Sequence, residues 1–441
     1  MGRWQNTGMS ASGQQRIINT INPGERPFGS PLGPRPTRVL LLGAGELGRE
    51  IAISLMRLGA WVGAADSYPG APATQVAHAG YQVKMSDPQA LEDLIDKVHP
   101  DLIVPEVEAI ATDRLVGAAA RGIQVVPAAP LAAMCMDRRA LRVFAHEQVG
   151  LPTTPYRFAD SYEELASAAD QVGYPCMVKP LMSSSGHGQT LVRSREGLSQ
   201  AWNSALTQGR AATRHQGKAE VIVEALAPLA HELTVLTVAS CAGVATCTPI
   251  GQRQEDGDYR LSWQPADLNP DILQQARSMA TRLIEAMTSL ARQSGETGWG
   301  IYGVEIFVLR DGSLLFNEVA PRPHDTGMVT MISQRLSEFD LHARAILGIP
   351  VHQEDLALSL PEGACAVSRP ILVRGQGPVS FQGLPQALDH PGTDLRIFSK
   401  PEVHGLRRMG VALALGPDLQ TATKRAEAVV HDLKPRVGTG M

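Results

Sequence analysis

The chain has 441 residues, of which 44% are apolar, and its 40 basic side chains nearly balance 44 acidic ones. That length predicts two or three domains, and the near-neutral balance excludes the charge footprint of a nucleic-acid binder or an acidic solvating tail. Apolar runs are no longer than a strand, which excludes a helical membrane span, and five scattered cysteines (Cys135, Cys176, Cys241, Cys247, Cys365) without metal-ligand spacing predict a reduced, cytoplasmic interior.

Residues 1–35 are rich in Gly, Pro, Gln and Asn and are expected to be a disordered extension, with Met9 as an alternative start. From Thr37 the pattern becomes strand, glycine turn, helix. RVLLLGAGELG runs through Gly43-x-Gly45-x-x-Gly48 into the amphipathic EIAISLMRLG. A second strand, AWVGAAD, ends at Asp66, near the spacing of a dinucleotide-binding fold. DLIVPEVEAI and IQVVP supply further strands, with helices near 88–98 and 110–121, so this part reads as an open, mostly parallel α/β layer. Glu46, Glu106 and Glu108 stand at strand ends, where such a layer places ligands; a helix cap or surface position is the plainer reading of Glu108. A lone Gly-x-Gly-x-x-Gly offers its turn to many anions, and NAD is only one of them.

DRRALRVFAHEQVG reads as a connecting helix, and GYPCMVKPLMSSSGHGQT then puts Lys179 at a strand end before a loop of small residues. Ser183 to Gly188 has donors enough to fold over phosphates but lacks the Walker order, and a serine–glycine loop alone is more often a linker. AEVIVEALAPLAHELTVLTV gives one strand ending at Glu224 and another opening with Glu232; each carboxylate suits either adenosine hydroxyl and amino groups or plain solvent. GQRQEDGDYRLSW is expected to be a polar loop carrying substrate contacts, followed by a helix near 271–293.

The stretch Ile301 to Asp325, IYGVEIFVLRDGSLLFNEVAPRPHD, has two strand-like runs separated by Asp311-Gly312, a strong two-residue hairpin signal. That turn places Glu305 opposite Glu318 and Phe307 opposite Phe316. Facing carboxylates about 5 Å apart repel unless a cation or proton lies between them. Magnesium with phosphate oxygens suits such a pair; on the hairpin alone, glutamates turned to solvent or arginine fit equally well. Beyond it, MVTMISQRLSEFDLHARAILGIP predicts one long amphipathic helix. Short strands return in ACAVSRPILV, DLRIFSK and RRMGVALALG, and DLQTATKRAEAVVHDL closes the chain as a helix. Lys400, Arg407 and Arg408 cluster between strands, as a phosphate clamp or, more commonly, a solvated basic turn.

In order, a strand lysine, a Ser/Gly loop, strand-end glutamates and a carboxylate pair resemble an ATP-grasp enzyme. Within that superfamily GAGELG, PEVEAIATD, VKPLMSSSGHGQ, GQRQEDGDYRLSWQP, NEVAPRPHDTGMVT and FSKPEVHGLRRMGVALA resemble the formate-dependent phosphoribosylglycinamide formyltransferases, from about residue 37 onward. The resemblance implies an α/β protein: a Rossmann-like pre-ATP-grasp domain over 36–135, an ATP-grasp domain over 136–350 and a small β-rich domain over 351–441. It implies ATP and Mg2+, formate and phosphoribosylglycinamide as substrates, a formyl phosphate intermediate, no covalent protein nucleophile, and a homodimer.

Carried over residue by residue, Arg138, Lys179 and the loop Ser184, Ser185, Gly186, His187, Gly188 and Gln189 would contact ATP phosphates. Glu224, Ala225, Leu226 and Ala227 would form the adenine linker, with Glu232 on the ribose and Glu305 and Glu318 on magnesium. Glu46, Leu47, Glu106, Asp325, Lys400, Arg407 and Arg408 would bind phosphoribosylglycinamide. The sequence departs from the family at His187, where lysine is common, and in the apolar, proline-containing linker EALAPLAHE. Three rivals stand beside this reading, one of them a non-catalytic ATP-binding regulator on the same fold. The sister enzyme carboxyaminoimidazole ribonucleotide synthetase shares APRPH but activates bicarbonate. An NAD-dependent oxidoreductase would use the glycine turn and Asp66.

Overall fold

The computed structural model describes residues 28–107, 109–181, 188–208, 214–215, 218–255 and 258–438. Most of the expected N-terminal extension, the loop residues Ser184 to His187, and Glu108 lie outside these residues. Residues 28–35, expected to be disordered, instead form a turn: the Gly29 N–H donates to Thr37 Oγ1 at 3.1 Å and the Thr37 N–H returns to the Gly29 carbonyl at 3.0 Å.

The N-terminal layer is a five-stranded parallel sheet in the order Ala79–Gln82, Trp61–Asp66, Arg38–Leu42, Leu102–Pro105, Gln124–Val125. Its central strands are apolar on both faces because helices cover both. The fingerprint glycines are used for packing. A Cβ at Gly43, whose φ is +132°, would lie 2.4 Å from Glu106 Oε2, and one at Gly48 would strike the Gly43 carbonyl at 2.5 Å. Asp66 is spent on the same turn, accepting from the Ala44 N–H at 2.9 Å and the Ser67 N–H at 2.7 Å.

A second, antiparallel sheet orders Tyr156–Ala159, Val221–Ala225, Cys176–Pro180 and Thr190–Val192. Helices Tyr162–Val172 and Leu198–Gln208 cover one of its faces. The third sheet has ten strands and carries both the hairpin Gly300–Leu309/Leu314–Ala320 and the C-terminal strands Cys365–Gln382 and Glu402–Gly416. Helix Pro270–Gln293 buries Leu283, Ile284 and Met287 against Val304, Ile306 and Phe316 of the hairpin. Each such fully buried side chain contributes about 1.5–3 kcal/mol, so the hairpin's back face is anchored while its front face is left to a ligand.

Two expected elements differ. GQRQEDGDYRLSW is not a loop but two paired strands, Ile250–Glu255 and Asp258–Gln264. The long helix expected over MVTMISQRLSEFDLHARAILGIP is broken. A short helix ends at Ser333, Gln334 bridges to Leu358, and Glu338–Ile346 restarts under a capping box between Ser337 and Asp340.

Candidate active site

One cleft of about 810 Å3 runs between the second and third sheets and brings together residues from 138 to 408. Arg138, Lys179, Gln189, Glu224, Ala225, Leu226, Ala227, Glu232, Glu305, Glu318, Asp325, Lys400, Arg407 and Arg408 all line it. Gly188 is buried beside Gln189 but is not in the wall.

At one end Lys179, on the strand Cys176–Pro180, lies 2.6 Å from Glu224 of the neighbouring strand. Arg142 reaches the other Glu224 oxygen at 2.5 Å from the helix Arg138–Val143. Burial alone would push the Glu224 carboxyl up; Lys179 and Arg142 reverse that and hold it at about 2. Its carboxylate therefore aligns two cations before any adenine contact is made. Arg138 donates to the Pro180 carbonyl at 2.9 Å and lies 3.9 Å from Glu318, linking this end to the hairpin. Among the linker residues, the Ala225 N–H is engaged by the Pro155 carbonyl.

The hairpin does place Glu305 opposite Glu318, but by a different register from the one expected. Its turn has three residues, Arg310 to Gly312, with Gly312 at φ +84°. A bulge at Asn317 then restores the offset, so Phe307 pairs with Leu315 rather than Phe316. Phe316 turns into the core and Phe307 into the cleft. The bulged Asn317 donates its amide to Glu305 at 2.9 Å, and the His324 ring lies 3.0 Å from the other Glu305 oxygen. Burial would raise the Glu305 carboxyl, but His324 and Asn317 together hold it below the usual range. Glu232 is pushed up to about 7 by burial and by the charge of Glu305. Among the described residues no cluster of three or more His, Cys, Asp or Glu converges on a metal position; the hairpin offers two carboxylates.

At the far end Lys400 lies 2.8 Å from Glu46, and Arg408 lies 2.6 Å from Asp325 and 3.8 Å from Glu46. Arg407 and Arg408 stand on the strand Glu402–Gly416, which begins earlier than the expected strand RRMGVALALG, rather than on a solvated turn, beside a bulge where Leu372 pairs with Arg408. Arg407 donates to the Glu402 carbonyl and lies over the Tyr68 ring. Besides Gly188, three residues predicted to bind the acceptor stay out of the cleft wall. Glu46 reaches this end only through Lys400 and Arg408. The Leu47 side chain is core, packed with Ile51, Phe398 and Val411. Glu106 lines a separate small chamber, with Arg322 and Glu318, and burial raises it to about 7.

Sequence reading missed Arg142, Asn317, Arg322 and His324. The two in APRPH carried a signal, since a Pro-flanked Arg and a His follow directly on Glu318. Arg142 carried none beyond a charge on a helix.

Comparison with known families fits this geometry. Residues 37–135 match the ribonucleotide synthetase preATP-grasp domain, 144–339 the ATP-grasp domain, and 365–433 the family described as PurT, C-terminal. A formate-dependent phosphoribosylglycinamide formyltransferase of Bifidobacterium adolescentis is 62% identical over 90% of this chain and 99% of its own. The solved glycinamide-RNase-transformylase T of Mycobacterium tuberculosis is 33% identical with a TM-score of 0.70, covering 90% of this chain and all of that one. Carboxyaminoimidazole ribonucleotide synthase of Aspergillus clavatus, solved with ATP, shares the fold at 25% identity and a TM-score of 0.76, over 90% of this chain and 99% of that one. The chain belongs to the formate-dependent phosphoribosylglycinamide formyltransferases, enzymes of the ATP-grasp superfamily.

Proposed function

We propose that the chain formylates N1-(5-phospho-β-D-ribosyl)glycinamide with formate at the expense of ATP, in de novo purine biosynthesis. The observation that carries this reading is that one cleft joins a Lys179–Arg138 end, a facing carboxylate pair and a Lys400–Arg407–Arg408 end. These suit nucleotide phosphates, a cation and an acceptor phosphate in turn.

A formate oxygen attacks the γ-phosphorus, the bond to ADP breaks, and formyl phosphate forms. The acceptor amine then attacks the formyl carbon, phosphate leaves with the bonding pair, and the amine gives its proton to Glu106. Lys179 and Arg138 hold the γ-phosphate, with Gln189 beside them in the cleft wall. Ala225, Leu226 and Ala227 take adenine, and Glu232 takes ribose. Lys400, Arg407 and Arg408 take the acceptor phosphate, while Asp325 and Glu106 face its amine. Leu47 would contribute through its backbone, at the start of the helix Glu46–Arg57. Such catalysis rests on positioning and charge neutralisation.

A magnesium ion fits Glu305 and Glu318: one carboxylate is held ionised by His324 and Asn317, and the other, with 44% of its side chain exposed, faces the cleft. Bound there, it would offset phosphate charge. Units 36–135, 136–350 and 351–441, a cytoplasmic setting and a homodimer belong to the same reading. The NAD alternative loses support because Asp66 is already bonded to the glycine turn. ADP release that needs both formate and phosphoribosylglycinamide is the expected result. Release driven by bicarbonate with aminoimidazole ribonucleotide overturns it in favour of the sister enzyme.

A further inference from the structure

We propose that Arg142 is a positioning residue that sets the phosphate-binding lysine against the cation-binding carboxylates, working from behind the cleft wall through Glu224 and Asn317. This rests on the function proposed above. Arg142 is 6% exposed and does not line the cleft, whereas Thr154, Lys179, Glu224, Glu305 and Asn317 all do. It touches three of them. One guanidinium nitrogen donates to Thr154 Oγ1 at 3.1 Å. Another lies 2.5 Å from Glu224 and donates to the Asn317 carbonyl at 3.2 Å. Arg142 therefore acts on a ligand only through these partners.

Each end of the bridge continues to a group assigned above to ATP or its cation. The other Glu224 oxygen lies 2.6 Å from Lys179. Asn317 is the bulged residue of the hairpin, and its amide donates to Glu305 at 2.9 Å. A bulge leaves its extra residue outside the ladder. Arg142 supplies the Asn317 carbonyl with a partner and so holds the bulge where it aims at Glu305. The two ends also belong to different sheets, since Glu224 stands in the four-stranded one and Asn317 in the ten-stranded one. Thr154 lies in the segment that joins them: the Phe316 N–H donates to the Pro152 carbonyl at 2.8 Å, and the Ala225 N–H to the Pro155 carbonyl at 2.9 Å. One planar fork thus spans the seam between the sheets. A lysine there could neutralise Glu224, but its single ammonium on a flexible stem does not reproduce the fork.

Full-length Arg142→Lys keeps the charge beside Glu224 and removes the fork. Its unfolding midpoint is expected within a few degrees of wild type, while kcat for formate-dependent ADP release falls about 100-fold. The Kd for Mn2+ as a probe of the cation site, read by paramagnetic resonance with a non-hydrolysable ATP analogue, should rise about tenfold. The KM for phosphoribosylglycinamide should stay within about twofold of wild type, because the acceptor end is not touched. Asn317→Ala cuts the link to Glu305, so adding Arg142→Lys to it should change the Mn2+ Kd by less than about twofold. A purely structural arginine would move the unfolding midpoint and leave Mn2+ binding alone. Wild-type kcat and Mn2+ Kd in Arg142→Lys, or fully additive losses in the double variant, overturn the positioning role. Should Arg142→Lys fail to fold, Thr154→Val removes one acceptor of the fork without a change of charge and is expected to weaken Mn2+ binding and kcat several-fold; wild-type values there overturn the role too. Wild-type enzyme with no formate-dependent ADP release would instead overturn the parent reading.

Discussion

At the nucleotide end of the cleft, Glu224 takes its two cations from neighbouring elements: Lys179 from the adjacent strand and Arg142 from the helix Arg138–Val143. At the acceptor end, Lys400 finds Glu46 from 354 residues away, and Arg408 meets Asp325 across another stretch of chain. The first set is assembled by the small antiparallel sheet together with the helix Arg138–Val143, which packs on the hairpin's core and donates from Arg142 to the Asn317 carbonyl. The second exists only when the N-terminal layer, the hairpin and the C-terminal strands are docked. Protonation separates two carboxylates rather than the two ends: Glu224 is held at about 2 and Glu106 raised to about 7, while Glu232 on the nucleotide side is also raised and Asp325 on the acceptor side is lowered.

The hairpin lies between the two ends and serves both, so the largest effect is expected there. Glu318→Gln keeps shape and removes charge. It should lower formate-dependent ADP formation by about 1,000-fold while leaving the unfolding temperature within a few degrees of wild type. Turnover close to wild type would separate the hairpin carboxylates from catalysis. Next in size, Glu224→Gln strips the shared anion from Lys179 and Arg142. Leaving buried charge uncompensated should cost roughly 3 kcal/mol of stability, read by denaturant unfolding, with a raised KM for ATP and little change for the acceptor. If the acceptor KM moved instead, the two ends would not be separable in this way.

How much of this was legible in sequence follows the same contrast. Two runs rich in β-branched, aromatic and aliphatic residues, VEIFVL and SLLFNEV, on either side of Asp311-Gly312 expose the hairpin, and with it the Glu305–Glu318 pair. The assumed two-residue turn was one residue short, and the Asn317 bulge offset that error, because turn length and bulges are set by twist and packing rather than by period. The broken helix was readable in principle, since Ser337-x-x-Asp340 is a restart signal inside an amphipathic run. Arg142 was not readable: its burial depends on Glu224 and Thr154 being brought to it by the fold. Nor was the Glu46–Lys400 contact, which no local pattern encodes. Gln252, Tyr259 and Arg260 were expected to meet substrate from a loop and instead line the cleft from strands.

The protonation contrast gives a pH prediction with opposite signs. Glu224 has its folded value below an unfolded carboxylate's, so its contribution is present above pH ~4.3 and is lost as pH falls towards 2. Glu106 has its folded value raised, so its contribution is present below pH ~4.3 and is lost as pH rises through about 7, by up to ~1.4 kcal/mol per unit. Buried neutral His342, lowered to about 3, adds to the acid limb, losing its contribution as pH falls below ~6.5. Unfolding free energy against pH should therefore flatten between pH 5 and 7 in Glu106→Gln, and below pH 4 in Glu224→Gln. Curves parallel to wild type in both variants would remove the electrostatic contrast between the two carboxylates.

The smallest effect tests how the acceptor end is held from a distance. Ser399, just before Lys400, sits at φ +57°, a left-handed conformation that a serine seldom adopts. Arg49 secures it, donating to the Ile397 carbonyl at 2.7 Å and to Ser399 Oγ at 3.0 Å, while Gln75 donates to the Ser399 carbonyl at 2.7 Å. Arg49 lies three residues beyond Glu46 on the same helix, so one turn of the N-terminal layer both fixes the backbone and faces the ammonium of Lys400. Arg49→Met should relax that backbone and raise the KM for phosphoribosylglycinamide about tenfold, or ~1.4 kcal/mol, with the KM for ATP and the value of kcat nearly unchanged. Ser399→Gly, which accepts the same φ without strain, should keep the acceptor KM near wild type, and Ser399→Val should raise it. If Arg49→Met altered ATP and acceptor binding alike, the helix would be holding the whole cleft together rather than its acceptor end, and the division between the two ends would fail.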